Sequence, residues 1–179
     1  MIKAVRNDFL QFNTKEHILP VDSRKVKNRR VVKLSTLDEV LADARQLAVK
    51  EREGKLVVLG NWTLGQSLGH LAQWITYSFE GVAFSPSWFI RMVARLFKKQ
   101  FLNGSLPAGV RLPKVEGGTF GVEVLSTEEG QSRLVAAVER LKSTVPDKPN
   151  VVFGILTHQE WMALQVNHAR LHLSFFDFK

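Results

Sequence analysis

His168 and His172 lie four residues apart in the stretch from Thr157 to about Phe178. On a helix that spacing sets one imidazole above the other on a single face. Trp161, Leu164, Leu171 and Phe175 fall on the same stripe at intervals of three, four and seven, so the face reads as apolar. A neutral imidazole among apolar groups loses water, which costs free energy unless both ring nitrogens find partners. A shared divalent cation would satisfy one nitrogen of each ring.

The chain has five histidines: 17, 70, 158, 168 and 172. His17 belongs to a basic N-terminal segment, and His158, in the first turn of the last helix, is expected to face solvent. His70 sits about two turns into a helix that is apolar nearly all round, so it is expected inside. His-x-x-x-His with a distant third histidine makes a facial set of three nitrogens. Such a set leaves open positions on Zn²⁺, Ni²⁺ or Fe²⁺ for water and substrate. By helix spacing Gln66, Gln73, Trp74, Tyr77 and Gln165 lie near the same place and are substrate-pocket candidates. No Asp or Glu lies within one turn of any of the three histidines on its own helix, so no catalytic acid or base is assigned. Spacing alone leaves the alternative open, in which the three are hydrogen-bonded core histidines.

The elements that must position these groups have clear start signals. Thr36-Leu-Asp-Glu39, Thr63-Leu-Gly-Gln66 and Thr157-His-Gln-Glu160 read as capping boxes. Leu156 can act as a hydrophobic staple on Trp161. The first box opens a helix burying Leu37, Val40, Leu41, Ala44, Leu47 and Ala48, which Gly54 ends. After an apolar connection, Leu56 to Leu59, the second opens a helix to about Phe79 with Leu64, Leu68, Leu71, Ile75 and Phe79 on one stripe. Ser67, His70, Trp74 and Tyr77 lie on an adjacent one. Ser126-Thr-Glu-Glu129 opens another helix, burying Leu134, Val138 and Leu141 and stopping before Pro146. Ser87 to Phe101 reads as a basic amphipathic helix carrying Trp88, Met92, Leu96 and Phe97, its short apolar face expected to pack on the bundle rather than lie on a membrane. Asn103 to Gly118, with Pro107, Pro113 and four glycines, reads as a long loop of the kind that often rims a functional site. The fold class is therefore all-α: a four-helix bundle with an additional inserted helix. Residues 1–33 form a basic arm, in which Phe9, Leu10 and Phe12 could anchor and Ser23 to Arg30 reads as exposed coil or strand. Residues 34–179 form the bundle domain.

Composition narrows the function classes. A chain of 179 residues suits one domain with a substantial core. With no cysteine, disulfides, thiolate metal sites and a cysteine nucleophile are excluded. No apolar run approaches the length of a membrane span and no secretory signal is evident, so the cytoplasm is the expected location. The net charge of +8 is uneven. Residues 1–33 carry nine Lys or Arg against three acids, residues 86–114 carry six and no acid, and the remainder is mildly acidic. No nucleic-acid-binding signature accompanies the basic stretches, so nucleic acid is not the expected partner.

The run Gly60-Asn-Trp-Thr-Leu-Gly-Gln-Ser-Leu-Gly-His70, continuing through Leu71 and Ala72, resembles the second-helix signature of the DinB-like (damage-inducible) metal-binding four-helix bundles. Within that superfamily it looks most like an uncharacterised bacterial family with a G-N-W-[ST]-L-G-Q-x-L-x-H-L core. Phe153-Gly-Ile-Leu-Thr157, followed by Glu160-Trp161 and the His168/His172 pair, looks like that family's C-terminal end. Leu106-Pro-Ala-Gly-Val-Arg-Leu-Pro113 looks like its middle loop. The resemblance covers about residues 30–178 and implies that His70, His168 and His172 are the metal ligands. It also implies a metal-dependent activity on a small molecule, since some members are S-transferases using low-molecular-weight thiols and others are isomerases or hydrolases. Relatives often continue the last motif with an adjacent second histidine and a Gln, whereas here Leu171 precedes His172 and Phe175-Phe176 follow.

Two functional readings result. One is a metal-dependent enzyme, a thiol S-transferase or a hydrolase; transfer is slightly favoured because a metal-activated thiol needs a separate base less than hydrolysis does. The other is a non-catalytic, stress-related helical module that recruits an acidic partner through the basic arm. No membrane partner is expected. The oligomeric state stays open, with a homodimer as one form, because exposed apolar edges of such bundles commonly pair.

Overall fold

The computed structural model describes residues 20–112 and 115–178, without the side chain of residue 116. The anchors expected at Phe9, Leu10 and Phe12, and His17, lie outside the described residues. The described residues form six α-helices and one small sheet. In chain order these are α1 (Leu37–Arg52), β1 (Leu56–Val58), α2 (Leu64–Glu80), α3 (Trp88–Leu96), α4 (Lys98–Asn103), α5 (Thr127–Ser143), α6 (His158–Leu173) and β2 (Phe176–Phe178). The chain is mostly helical, as its periodicity implies.

The helix starts form as their capping residues dictate. Thr36, Thr63 and Thr157 each accept the amide of the residue three positions on, while Glu39, Gln66 and Glu160 reach back to the cap's own N–H. Ser126 caps α5 through the Glu129 amide. The Glu129 carboxylate turns away to Arg133, so this end has only half of the reciprocal pair. All the apolar positions expected in α1, α2 and α5 are buried, and Leu156 and Trp161 are buried as well.

α1, α2, α5 and α6 share one core. α2 is the central element: it packs most extensively on α5 and also lies against α6 and α1. The α2–α5 contact is close because Gly65 and Gly130 meet there. A Cβ on Gly130 would lie 2.5 Å from the Gly65 carbonyl oxygen, which only a backbone shift could relieve.

Five expectations are corrected. The last helix stops at Leu173, and Phe176–Phe178 pairs antiparallel with Leu56–Val58, so the apolar connection after α1 is a strand. These two strands close one end of the helical body, and Phe176 is fully buried in it. The stretch Ser87 to Phe101 is two helices broken at Phe97. Its apolar face does not pack on the body: Trp88, Met92, Leu96 and Phe97 are all exposed, and Ala94 is the one buried residue of α3. The four long helices already satisfy one another's apolar faces, and α3 makes its main contact with the short α4. His158 does not face solvent either; it is half-buried, with its Nε2 donating to the Leu141 carbonyl at 2.5 Å.

The segment before α1 is tied to the body. The Arg30 guanidinium pairs with both oxygens of Asp43 at 2.7 and 2.6 Å and donates to the Phe176 carbonyl. Arg29 donates to the Ser174 hydroxyl and lies over the Phe175 ring. Two of the charges expected on exposed coil therefore hold the C-terminal strand in place.

Candidate metal centre

His70 comes from α2 and His168 and His172 from successive turns of α6, where these helices pack together. One ring nitrogen from each can be chosen so that all three lie within 4.8 Å of one another. No carboxylate joins them among the described residues. The Nε2 atoms of His168 and His172 are 3.0 Å apart. Two nitrogens bound to one zinc at about 2.0–2.1 Å would stand roughly 2.9–3.4 Å apart for angles between right-angled and tetrahedral. The α6 pair thus already has the separation that a shared cation requires.

The protonation pattern at His70 follows from its partner. Its Nδ1 lies 2.8 Å from the Phe120 carbonyl oxygen. A carbonyl can only accept, so Nδ1 carries the hydrogen and Nε2 keeps its lone pair. A backbone carbonyl on the far nitrogen is the usual device for orienting a metal-binding histidine. The carbonyl is delivered by a tight approach of the segment 119–121 to α2. Gly121 has φ +70°, and a Cβ there would stand 3.0 Å from the Gln73 Cβ and 3.6 Å from the His70 Cα. The rim expected of the long loop is supplied by residues immediately after it.

All three imidazoles are held neutral. Burial pushes the His70 pKa down to about 4, against a smaller upward pull from the backbone at Phe120 and Gly121. His168 and His172 are half-buried by surface area but closely packed about by protein, and burial lowers both well below the ordinary histidine value. Repulsion from the neighbouring rings adds to this: from His70 at His168, and from His168 and His70 at His172. Three neutral imidazoles at pH 7, with no proton to displace, are what a cation needs.

Aromatic rings enclose the cluster. Trp62 stacks on His172 at 5.4 Å between centroids with the planes 7° apart, and tilts against His70 at 4.8 Å. Trp74 presents an edge to His70 and to His168 at 6.1 and 5.9 Å. Its Nε1–H is buried without a hydrogen-bond partner among the described residues. Such a donor is costly to leave unmade and suits a ligand at the centre.

The other candidates divide. Tyr77 packs its ring on Trp74 and Phe120, one layer out from the histidines. Gln73 lies under the Gly121 turn. Gln66 spends its side-chain carbonyl on the α2 cap. Gln165 is buried and donates to the Ser78 hydroxyl at 3.3 Å, linking α6 to α2. The stripe expected around the pair is shifted: Gln165, Ala169 and Leu173 are buried, while Leu164 and Leu171 are half-buried and Phe175 lies beyond the helix. Trp62 and the Phe120 carbonyl were missed. Both lie outside helices, where no periodicity announces a neighbour, although Trp62 directly precedes the α2 cap.

A family model described as a protein of unknown function, DUF1569, matches residues 26–179. No curated protein and no solved structure matches the chain.

Proposed function

We propose, for a chain that belongs to the DUF1569 family of proteins of unknown function, that His70, His168 and His172 hold one divalent transition metal, zinc, nickel or iron. The observation carrying this reading is the convergence of three imidazole nitrogens from two helices within 4.8 Å, with the His70 tautomer set by the Phe120 carbonyl. The fold detail that fits it is a DinB-like four-helix bundle, supported by the shared core of α1, α2, α5 and α6 and by the position of the histidines on its second and last long helices.

A metal on three nitrogens would keep open positions and lower the pKa of a water or thiol placed there. The protein's own groups prepare that place. Trp62 and Trp74 wall it, and the Trp74 N–H is available to orient a small molecule. With no carboxylate in the cluster, the arrangement favours transfer of a low-molecular-weight thiol over hydrolysis, which would call for a base.

One observation favours the second reading, a non-catalytic helical module. The 3.0 Å between the Nε2 atoms of His168 and His172 also suits an N–H···N hydrogen bond between neutral rings. Recruitment of an acidic partner by the basic arm is weakened, because Arg29 and Arg30 are engaged internally.

Elemental analysis of protein never exposed to nickel resin, beside the His168→Ala variant, decides between them. Near one equivalent of transition metal is expected in the parent and little in the variant. No metal in either, and no uptake of added zinc or nickel at neutral pH, would leave the histidines as core polar groups.

A further inference from the structure

α3 is the least partnered helix among the described residues, and its composition says what would cover it. Trp88, Met92 and Leu96 recur every four residues along one side, with Phe89 beside them, and they are 70, 45, 76 and 56% exposed. Apolar side chains of this size standing together on a surface mark an interaction site. Arg91 and Arg95 flank the stripe, and Lys98 and Lys99 follow the break at Phe97. Lys98 is engaged with Glu160 at 2.7 Å; Arg91, Arg95 and Lys99 are exposed. No Asp or Glu occurs anywhere in residues 86–114.

We propose that α3 docks on an anionic lipid surface. Trp88, Phe89, Met92 and Leu96 enter the boundary between headgroups and acyl chains, and Arg91, Arg95 and Lys99 stay among the phosphates. Aromatic and aliphatic residues on an exposed face with cations along its edge are the makeup of a helix lying in the membrane plane. No described helix is long and apolar enough to cross a bilayer, so the contact is superficial. Charge selects this occupant over two others. A second copy would bring the same cations face to face. Residues 1–19 carry three Lys or Arg against two acids, so they offer the face no excess of negative charge. The expectation that the membrane plays no part rested on this stripe being packed against the body, and it is not.

The full-length protein, mixed with phosphatidylglycerol–phosphatidylcholine vesicles or with pure phosphatidylcholine vesicles, tests the proposal by co-sedimentation. Binding to the anionic vesicles is expected, weaker on the neutral ones by roughly fivefold for each cation engaged. Leu96→Glu and Met92→Glu are each expected to reduce binding roughly tenfold or more, with the helical circular dichroism unchanged because both positions are exposed. Three results overturn the proposal: no binding to anionic vesicles, binding indifferent to both substitutions, or binding only after removal of residues 1–19. A dimer in sedimentation velocity that Leu96→Glu dissolves, without vesicle binding, would also overturn it and make the face a contact between copies.

Discussion

His70 is the residue at which geometry, tautomer and titration meet. An imidazole in an unfolded chain titrates near 6.5, and in the folded protein His70 titrates at about 4. Between those values the unfolded chain binds the proton and the folded one does not, so stability rises with pH across that window. The metal-free protein is therefore expected to be most stable above about pH 6.5 and to lose roughly 3 kcal/mol from this group as pH falls toward 4. Urea unfolding on either side of the window measures this, and a His70→Gln variant should reduce the difference, leaving the part that His168 and His172 contribute. A parent curve that does not move would mean the ring is already charged in the folded state. Trp74 makes a separate prediction. Replacing it with Phe removes a buried N–H that has no partner among the described residues, so stability should hold or rise slightly despite the smaller ring. A loss above about 2 kcal/mol, read from the same unfolding curves, would mean that the N–H is bonded in the native protein.

At the scale of elements, the α2–α5 crossing depends on the absence of two side chains. Gly130→Ala would drive a methyl into the backbone of Gly65. The expected loss is about 1–3 kcal/mol, although alanine is the better helix former; a stabilised variant would show that the helices separate freely. The capping boxes were legible because each is a local reciprocal pair within four residues, and all three formed as written. Burial in α1, α2 and α5 was equally legible, since an apolar stripe on a helix has only one side to face. α3 has the same kind of stripe and is not buried. Amphipathicity specifies that a face needs a partner, and it does not specify that the partner belongs to the same chain. The strand Phe176–Phe178 was missed for a related reason. Three residues are too few to show a period, and an apolar run after a helix reads as more helix.

Over the whole molecule, α1 and β2 are joined by Arg30. Its guanidinium bridges Asp43 on α1 and the carbonyl of Phe176 on β2, and the ion pair is largely withdrawn from solvent. Arg30→Ala would leave the Asp43 carboxylate buried and unpaired, and a loss of about 3 kcal/mol is expected. Thermal unfolding measures it, and a negligible change would show the carboxylate reaching water. The proposed metal would act at the same scale, because the three histidines come from two helices that meet in the folded state. Zinc at about a hundred times its dissociation constant should add roughly 2.7 kcal/mol, seen as a higher Tm that His172→Ala abolishes. An equal rise in that variant would place the binding elsewhere.

The sequence by itself determined the number and the starts of the four long helices, the chemistry available without cysteine, and the three histidines, because caps, periodicity and i, i+4 spacing are local properties. Only the tertiary structure decided that His70 meets the α6 pair, and that the Phe120 carbonyl, fifty residues away, accepts its Nδ1–H. It alone closed Trp62 over His172 and left α3 uncovered. Each of these depends on where distant segments come to rest. That is set by how the four core helices fill one another's faces, a collective outcome of packing that no single stretch of the chain carries.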